Sequence, residues 1–432
     1  MCLAKVHGFG KRGATMQLRD FLRPRTASIT EVFFLTIALF TLPIFEAPKN
    51  IASFGFLCAF LFQSLRFGSF GKSSPFDIPI LGLISVLWVA PLFSEYGTMV
   101  APVSYTAGWT MIGLFALCAA RLDYHSRHLN VLFSALLLGG AWAVADSLRV
   151  WDLKPYPEFR SVGHVNHSSM YSLIPLSVGL ATLFARSWPL KFFGLIGILA
   201  TLVYLPPSRS LVGGIAIFSL FMATIIIWAW VTRALRPVVV GGFLLAAFAT
   251  GITFLPAFDG FRSELVMRVS SEELFSGRDK ILNTALEVWD RNPIFGTGLR
   301  SFEVATAEPV VREEVEADGR DYDAVQSNYW FYNHGHNLWV TILVERGVFG
   351  VAMVAWLLFA YFRGFVPIAI DRKLDVLSDT RVAAIAASLV ALGFVTAGLG
   401  NTTMINEHGQ AGMLVIAIAW GFLRGTDALT KK

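Results

Sequence analysis

Cations and imidazoles stand in this chain where chemistry on an anionic, hydroxyl-bearing substrate would need them. Arg209 lies in Leu205-Pro206-Pro207-Ser208-Arg209-Ser210, between two apolar stretches. Snorkelling is the ordinary explanation of a boundary arginine. Here the flanking Ser and Pro form a tight hydrogen-bonding turn, and a guanidinium held there is able to grip a diphosphate bidentately. Arg278 opens Gly277-Arg278-Asp279-Lys280, ahead of Ile281, Leu282, Ala285, Val288 and Trp289 at helical spacing, with Pro293, Gly296 and Gly298 ending the helix. A helix N-terminus repels an arginine and favours an anion, so this placement points to a bound anion rather than to helix stability. The third place is Tyr332-Asn333-His334-Gly335-His336-Asn337-Leu338-Trp339, leading into another apolar stretch. A histidine at a helix start tends to stay neutral, as a general base must. His334 and His336 as metal ligands are the weaker alternative, since no third ligand follows at helical spacing.

Other polar groups carry blander readings beside the chemical ones. Gly163-His164-Val165-Asn166-His167-Ser168 precedes an apolar stretch, where capping alone would account for Asn166 and Ser168. Glu46-Ala47-Pro48-Lys49-Asn50 reads as a turn with a surface lysine. The acidic run Glu308, Glu313, Glu314, Glu316, Asp318, Asp321 and Asp323 reads as a solvated face; a divalent-metal site there lacks paired-carboxylate spacing. Gly296-Thr297-Gly298-Leu299-Arg300 lacks the strand and the Lys-Ser/Thr ending of a phosphate loop and reads as a turn. Glu345 and Arg346, side by side in an apolar segment, suggest that its first turns run along a membrane surface before Gly347.

The elements that must position these groups are membrane helices. Of 432 residues 55% are hydrophobic and only 15% charged, where a soluble domain carries about a quarter charged. With 3 cysteines and no CxxC, neither a disulfide scaffold nor a thiolate metal site is expected. The formal charge of +5 fits basic cytoplasmic loops better than nucleic-acid binding. Apolar stretches of spanning length give about twelve transmembrane helices. They are Ala27–Ile44, Asn50–Leu65, Phe76–Phe93, Val100–Ala119, Leu129–Leu148, Ser168–Ala185, Leu190–Leu205, Leu211–Val231, Pro237–Pro256, Asn337–Phe362, Val382–Leu399 and Gln410–Leu423.

Lys and Arg crowd the tail and every second turn, including Arg66, Lys72, Arg121, Arg127, Arg186, Lys191, Arg233, Arg236, Arg372, Lys373, Arg381 and Arg424. The opposite short turns hold only Lys49, Arg149, Lys154, Arg160 and Arg209. Both termini are therefore expected in the cytoplasm, with the long loop after the ninth span outside. The organisation expected is a basic cytoplasmic tail 1–26, helices one to nine in 27–256, a large outer loop 257–335, helices ten to twelve in 336–424 and a short cytoplasmic tail 425–432.

With those residues laid out, the chain resembles the O-antigen ligase and polymerase-like family of bacterial inner-membrane glycan transferases. The resemblance rests on Ser208-Arg209-Ser210; on Gly277-Arg278 with Ala285, Trp289, Pro293, Gly296 and Gly298; on His336-Asn337-Leu338 with Glu345-Arg346-Gly347 and Gly350; and on Gly163, Asn166 and His167. It implies an all-α, GT-C-like membrane protein of the bacterial inner membrane, with its large loop periplasmic between helices nine and ten. It also implies a metal-independent glycosyltransferase, without cofactor, that takes its glycan from undecaprenyl diphosphate. Arg209 and Arg278 would hold the diphosphate leaving group, and His336 would deprotonate an acceptor hydroxyl, with His334 the competing choice of base. Asn166, His167, Asn337 and Lys49 would contact substrate. The family more often has Asn-Pro-Asn where this chain reads His-Val-Asn-His, which loosens the donor role of Asn166 and His167.

Two reactions fit the resemblance. A ligase passes the glycan to lipid A–core, and a polymerase passes it to another lipid-linked repeat. The Glu46–Asn50 turn looks more like the ligases, with Lys49 facing an acidic lipid core. A polysaccharide transporter or flippase is the reading from another class; it would place charges within broken midspan helices, whereas here the polar groups cluster at one face. A purely structural membrane protein is disfavoured by the arginines and histidines at the helix ends.

Overall fold

The computed structural model describes residues 23–94, 103–151, 157–208, 211–234, 263, 266, 278–299, 308–325, 329, 335–404 and 406–426. The chain enters through a two-residue strand β1 (Arg25–Thr26) and helices α1 (Ile29–Thr41), α2 (Glu46–Phe67), α3 (Asp77–Phe93) and α4 (Val103–Ala120). Strand β2 (Leu122–Asp123), parallel to β1, leads to α5 (Ser126–Arg149), α6 (Val165–Thr182), α7 (Trp188–Ser208) and α8 (Leu211–Thr232). Among the described residues of the long loop follow helices α9 (Arg278–Arg291), α10 (Glu308–Ala317) and α11 (Tyr322–Val325), and then come α12 (Leu338–Ala369), α13 (Asp379–Gly398) and α14 (Asn406–Gly425).

Helices α6 and α13 form the centre of the bundle. α6 packs on α7, α13, α8 and α14, and α13 also packs on α12. Burial on all sides frees α6 from the need to be apolar, provided each hydroxyl is satisfied locally. Ser169 Oγ accordingly donates to Val165 O, Ser177 Oγ to Leu173 O and Thr182 Oγ1 to Gly179 O, at 2.9, 2.7 and 2.6 Å. On α13 the run of Ala383, Ala384, Ala386 and Ala387, all fully buried, lets neighbouring backbones come close. The outer helices instead expose Phe33, Phe54, Phe62, Trp142, Phe192 and Phe218. So much large apolar surface would be an aggregation liability in water and is the ordinary lipid face of a membrane protein.

The end away from the long loop is held by ion pairs. Ser28 and Glu31 form a capping box at the start of α1, and the Glu31 carboxylate also accepts from both Nη atoms of Arg25, at 3.0 and 2.6 Å. Arg121 donates to Asp77 at 2.8 Å, and Arg424 to Asp123 at 2.6 Å. Arg381 donates to the carbonyls of Ala369, Asp371, Leu374 and Asp375, so it satisfies the open C-terminus of α12.

The long loop is partly built as a small helical layer. Ile281, Ala285 and Val288 of α9, Val311 and Val315 of α10 and Tyr322 of α11 share a buried cluster with Val344 of α12. The acidic run is therefore the wet side of an amphipathic layer. Glu314 pairs with Arg291. Arg320 donates to both oxygens of Glu287 at 3.0 and 3.2 Å, and to Asp318 at 2.9 Å.

That layer is joined to the bundle at a break in α12. Gly347 has φ 61° and ψ −168°, which interrupts the helical ladder. The freed groups bond to the turn after α9. Thr297 N donates to Val344 O at 2.8 Å and Gly298 N to Glu345 O at 3.0 Å, while Val348 N donates to Pro293 O at 2.9 Å and Phe349 N to Ile294 O at 3.1 Å. The two backbones touch so closely that a Cβ on Gly296 would sit 2.3 Å from Arg346 N, and one on Gly347 would sit 2.3 Å from Ile294 O.

Every expected span except Pro237–Pro256, which lies outside the described residues, is a helix. Of these, 5 among the described residues are long and apolar enough to cross a membrane: Glu46–Phe67, Ser126–Arg149, Val212–Thr232, Leu338–Ala369 and Asp379–Gly398. Ile29–Thr41, Asp77–Phe93, Thr106–Ala120 and Trp188–Tyr204 are shorter apolar helices. One expectation is corrected. Glu345 and Arg346 do not lie on a surface; they are 8% and 5% exposed, covered by the loop layer and by α4.

Gly347→Ala and Gly296→Ala should each lower the thermal midpoint of the detergent-solubilised protein, costing about 2 kcal/mol or more from steric conflict and φ strain together. Gly163→Ala, at φ 77° with nothing within 4 Å, should cost only the backbone strain, about 1 kcal/mol. Equal effects at the three positions would refute the close docking.

The Arg320 guanidinium holds the Glu287 carboxyl below the usual carboxylate range, against a burial that raises it. A depressed folded pKa stabilises above the unfolded value and loses that contribution as pH falls through the folded value. Limited proteolysis of the loop should therefore accelerate as pH drops below the ordinary carboxylate range. Glu287→Gln should remove that part of the acid dependence.

Candidate functional site

The polar groups outside the ion-paired end meet at the end of the bundle that carries the loop. Asn337 caps α12: its Oδ1 accepts from Trp339 N at 2.8 Å and from Val340 N at 3.2 Å, while its Nδ2 donates to Leu399 O at 2.9 Å. The carboxamide thus fixes the start of α12 against the end of α13, with one Nδ2 hydrogen beyond the Leu399 bond. His336, just before that cap, has φ 43° and is half-buried. A non-glycine residue in the left-handed region is strained, and such strain is tolerated where the surroundings fix the side chain's position. Thr341 and Thr402 then share a 3.0 Å hydroxyl hydrogen bond across the same junction.

The connection between α13 and α14 supplies groups that sequence reasoning missed. Glu407 and His408 begin α14, within the chain run Asn406-Glu407-His408. The apolar count started that helix only at Gln410, and so passed over two titratable residues at its outer turn. His408 is fully buried, with Nε2 3.3 Å from Thr402 O and its ring centroid 5.6 Å from that of His167. Glu407 pairs with Lys49 across the bundle.

Lys49 is not a free surface cation. Its side chain is 5% exposed and lies between Glu407 and Glu46, the latter at 2.6 Å. Its Nζ also donates to Ser161 Oγ at 2.9 Å, and Ser161 in turn donates to Glu46 at 2.9 Å. Two carboxylates around one ammonium leave the trio net negative. The trio ties α2, the segment before α6 and α14 into one unit.

Asn166 and His167 lie half-buried in the first turn of α6, and the cap there is His164, whose Nδ1 accepts from Asn166 N at 3.2 Å. Ser168 fixes the preceding turn by accepting from Phe159 N and donating to Gly163 O, both at 2.9 Å. The structure therefore brings Lys49, Asn166, His167, His336 and Asn337 to one end of the bundle. Arg278 is the first residue of α9, as expected. Its side chain, Arg209 and His334 lie outside the described residues.

Beneath this end is a cleft between α3, α4, α12 and α14, with a cavity volume of about 50 Å³. Its walls are mostly Ile, Leu and Met, and its polar lining is Thr341, Glu345, Arg346, Thr402 and Thr403. The Arg346 guanidinium lies 4.6 Å from the centre of the Trp109 ring.

Helices with apolar outer faces, a polar cluster gathered at one end and a helical layer latched onto it have the architecture of a membrane protein. Residues 172–355 match the family model for O-antigen ligase. In that segment the chain is similar to the O-antigen ligase/polymerase-like family, whose members are membrane enzymes of glycosyltransferase type that act on lipid-linked glycans. The match begins within the core helix α6, takes in the loop layer and the break in α12, and leaves Lys49, Asn166, His167 and Glu407 outside it. A search of curated proteins finds no significant match.

The Lys49–Glu407 pair should behave as one unit. Lys49→Met leaves Glu46 and Glu407 facing each other without their cation, whereas Lys49→Met/Glu407→Gln removes that repulsion and Glu407→Gln alone leaves Lys49 its Glu46 partner. The double variant should be more stable than the sum of the singles by about 1–3 kcal/mol in thermal unfolding. Additive losses would show that the two residues do not interact in solution.

Proposed function

We propose that the chain is an O-antigen ligase-type glycosyltransferase of the bacterial inner membrane, acting at its periplasmic face with both termini cytoplasmic. It moves a glycan from undecaprenyl diphosphate to lipid A–core. The observation that carries this reading is the convergence of the family match with a strained His336 fixed at the entrance of α12, beside a loop layer whose first helix opens at Arg278.

In this reading Arg209 and Arg278 hold the diphosphate. Negative charge grows on that group as the glycosidic bond breaks, so positioned guanidinium groups stabilise the transition state more than the ground state. His336 takes the proton of the acceptor hydroxyl as its oxygen attacks the anomeric carbon. The donor is already activated by its diphosphate, and the resemblance implies neither metal nor cofactor. Asn337 acts by holding His336 in place, since its carboxamide is committed to the backbone at both faces. Lys49, enclosed by Glu46 and Glu407, contributes a positioned hydrogen-bonding group rather than an attraction for an acidic core. Asn166 and His167 line the donor side. A polymerase acting on the same donor is the second reading, because the family match covers both reactions.

His336→Ala and Arg278→Ala should insert normally yet transfer glycan at least about a hundredfold more slowly, the usual scale for a lost general base or a lost charge-stabilising group. Transfer at the wild-type rate would refute the mechanism. In a deletion strain, long glycan left on the carrier identifies a ligase, and single repeats identify a polymerase. Activity removed by a chelator and restored by a divalent ion would overturn metal independence.

A further inference from the structure

Arg346 is buried in an apolar cleft, and the protein leaves it incompletely satisfied. Its Nε is buried with no hydrogen-bond partner among the described residues, and its guanidinium is stacked on Trp109. Adjacent residues on a helix do not face each other, so Glu345 is not placed to grip it bidentately. Stacking on an aromatic face recovers only part of what a guanidinium loses on leaving water. Ionisable groups are retained in such surroundings where they meet a partner or a ligand.

The position is also built. Arg346 stands immediately before the break at Gly347, which the loop layer fixes through four backbone hydrogen bonds. A Cβ on Gly350 would lie 2.3 Å from Arg346 Cβ and 3.5 Å from its Cδ, so the glycine one turn on leaves the channel through which the side chain runs. The cleft is lined by Ile80, Ile84, Leu87, Ile112, Leu357 and Met413, with Thr341, Thr402 and the Glu345 carboxylate as its other polar lining. A buried cation in a mostly apolar cleft that also offers hydroxyls matches an amphiphile that carries an anionic head on an aliphatic chain, the head meeting Arg346 rather than Glu345.

We propose that this cleft is a lipid-phosphate site, in which Arg346 on Trp109 takes the phosphate and the apolar wall takes the first part of the chain. Only the identity of that lipid, the polyprenyl carrier or a bilayer phospholipid, rests on the glycosyltransferase reading. In this proposal the Trp109 ring supports the guanidinium from one side and its N–H groups donate to the phosphate oxygens.

Native mass spectrometry of the full chain in detergent tests this with nonaprenyl diphosphate, phosphatidylglycerol, nonaprenol and inorganic diphosphate as probes. An Arg209→Ala/Arg278→Ala background removes the other arginines proposed to hold a diphosphate. In that background Arg346→Gln should weaken at least one phosphate-bearing lipid tenfold or more, with partial recovery in Arg346→Lys. Nonaprenol and inorganic diphosphate should bind at least tenfold more weakly than that lipid. Dependence on Arg346 for nonaprenyl diphosphate alone assigns the cleft to the carrier, and dependence for phosphatidylglycerol assigns it to the bilayer. Unchanged lipid binding in Arg346→Gln, or inorganic diphosphate binding as tightly as the lipids, overturns the proposal. If Arg346→Gln does not fold, Trp109→Leu provides the same test through loss of the stacking face. His336→Ala separates the two readings, because it should retain lipid binding while losing transfer.

Discussion

A broken helix in a bilayer exposes backbone groups that have no water to bond to, and each one left open costs several kcal/mol. α12 is broken at Gly347, and the turn from Pro293 to Gly298 closes the break with its own amides and carbonyls. The constraint acts in both directions. The loop layer cannot leave without opening the helix, and the helix cannot hold its bend without the layer. The approach is close enough that both Gly296 and Gly347 must lack a Cβ. Arg278 at the start of α9 and His336 at the start of α12 are thereby carried on elements locked to each other, although 57 residues of chain separate them by the numbering.

The two ends of the bundle handle charge differently. At the end away from the loop, Arg25, Arg121, Arg381 and Arg424 are each answered by carboxylates or helix carbonyls. Such groups fix the turns, although Arg25 Nε, Arg121 Nε and Arg424 Nη2 are buried without a hydrogen-bond partner among the described residues. At the loop end the compensation is shared or incomplete. Lys49 divides itself between two glutamates, His408 is buried with one long hydrogen bond, and Arg346 rests on an aromatic ring. Partly satisfied polar groups in a low dielectric are costly, and at the loop end they stand around the cleft and the helix entrances where the proposed substrate would meet them.

The helices themselves were legible in the residues, because a span needs only a run of apolar side chains of sufficient length. The boundaries near function were less so. Ser168 to Thr182 carries many hydroxyls yet is deeply enclosed, since bonds to nearby carbonyls satisfy its Ser and Thr hydroxyls. The last helix begins at Asn406 rather than at Gln410, and the missed turn holds Glu407 and His408. Hydropathy counts polar residues against a span; it does not register that another part of the chain has come to neutralise them.

Composition and charge placement by themselves determined that the chain is a helical membrane protein with a basic tail, and that arginines and histidines stand at helix ends. The pattern around Arg209, Arg278 and His336 pointed to the glycan-transferase family. Only the tertiary structure decided what those residues are near. It placed Lys49 between Glu46 and Glu407, which turns an apparent surface cation into a neutralised clamp. It placed Arg346 over Trp109, which turns an apparent surface charge into a buried one. The physical reason is the same in both cases. Hydropathy and spacing are properties of neighbours along the chain, whereas the state of a charge depends on the dielectric and the counter-charges that folding brings around it.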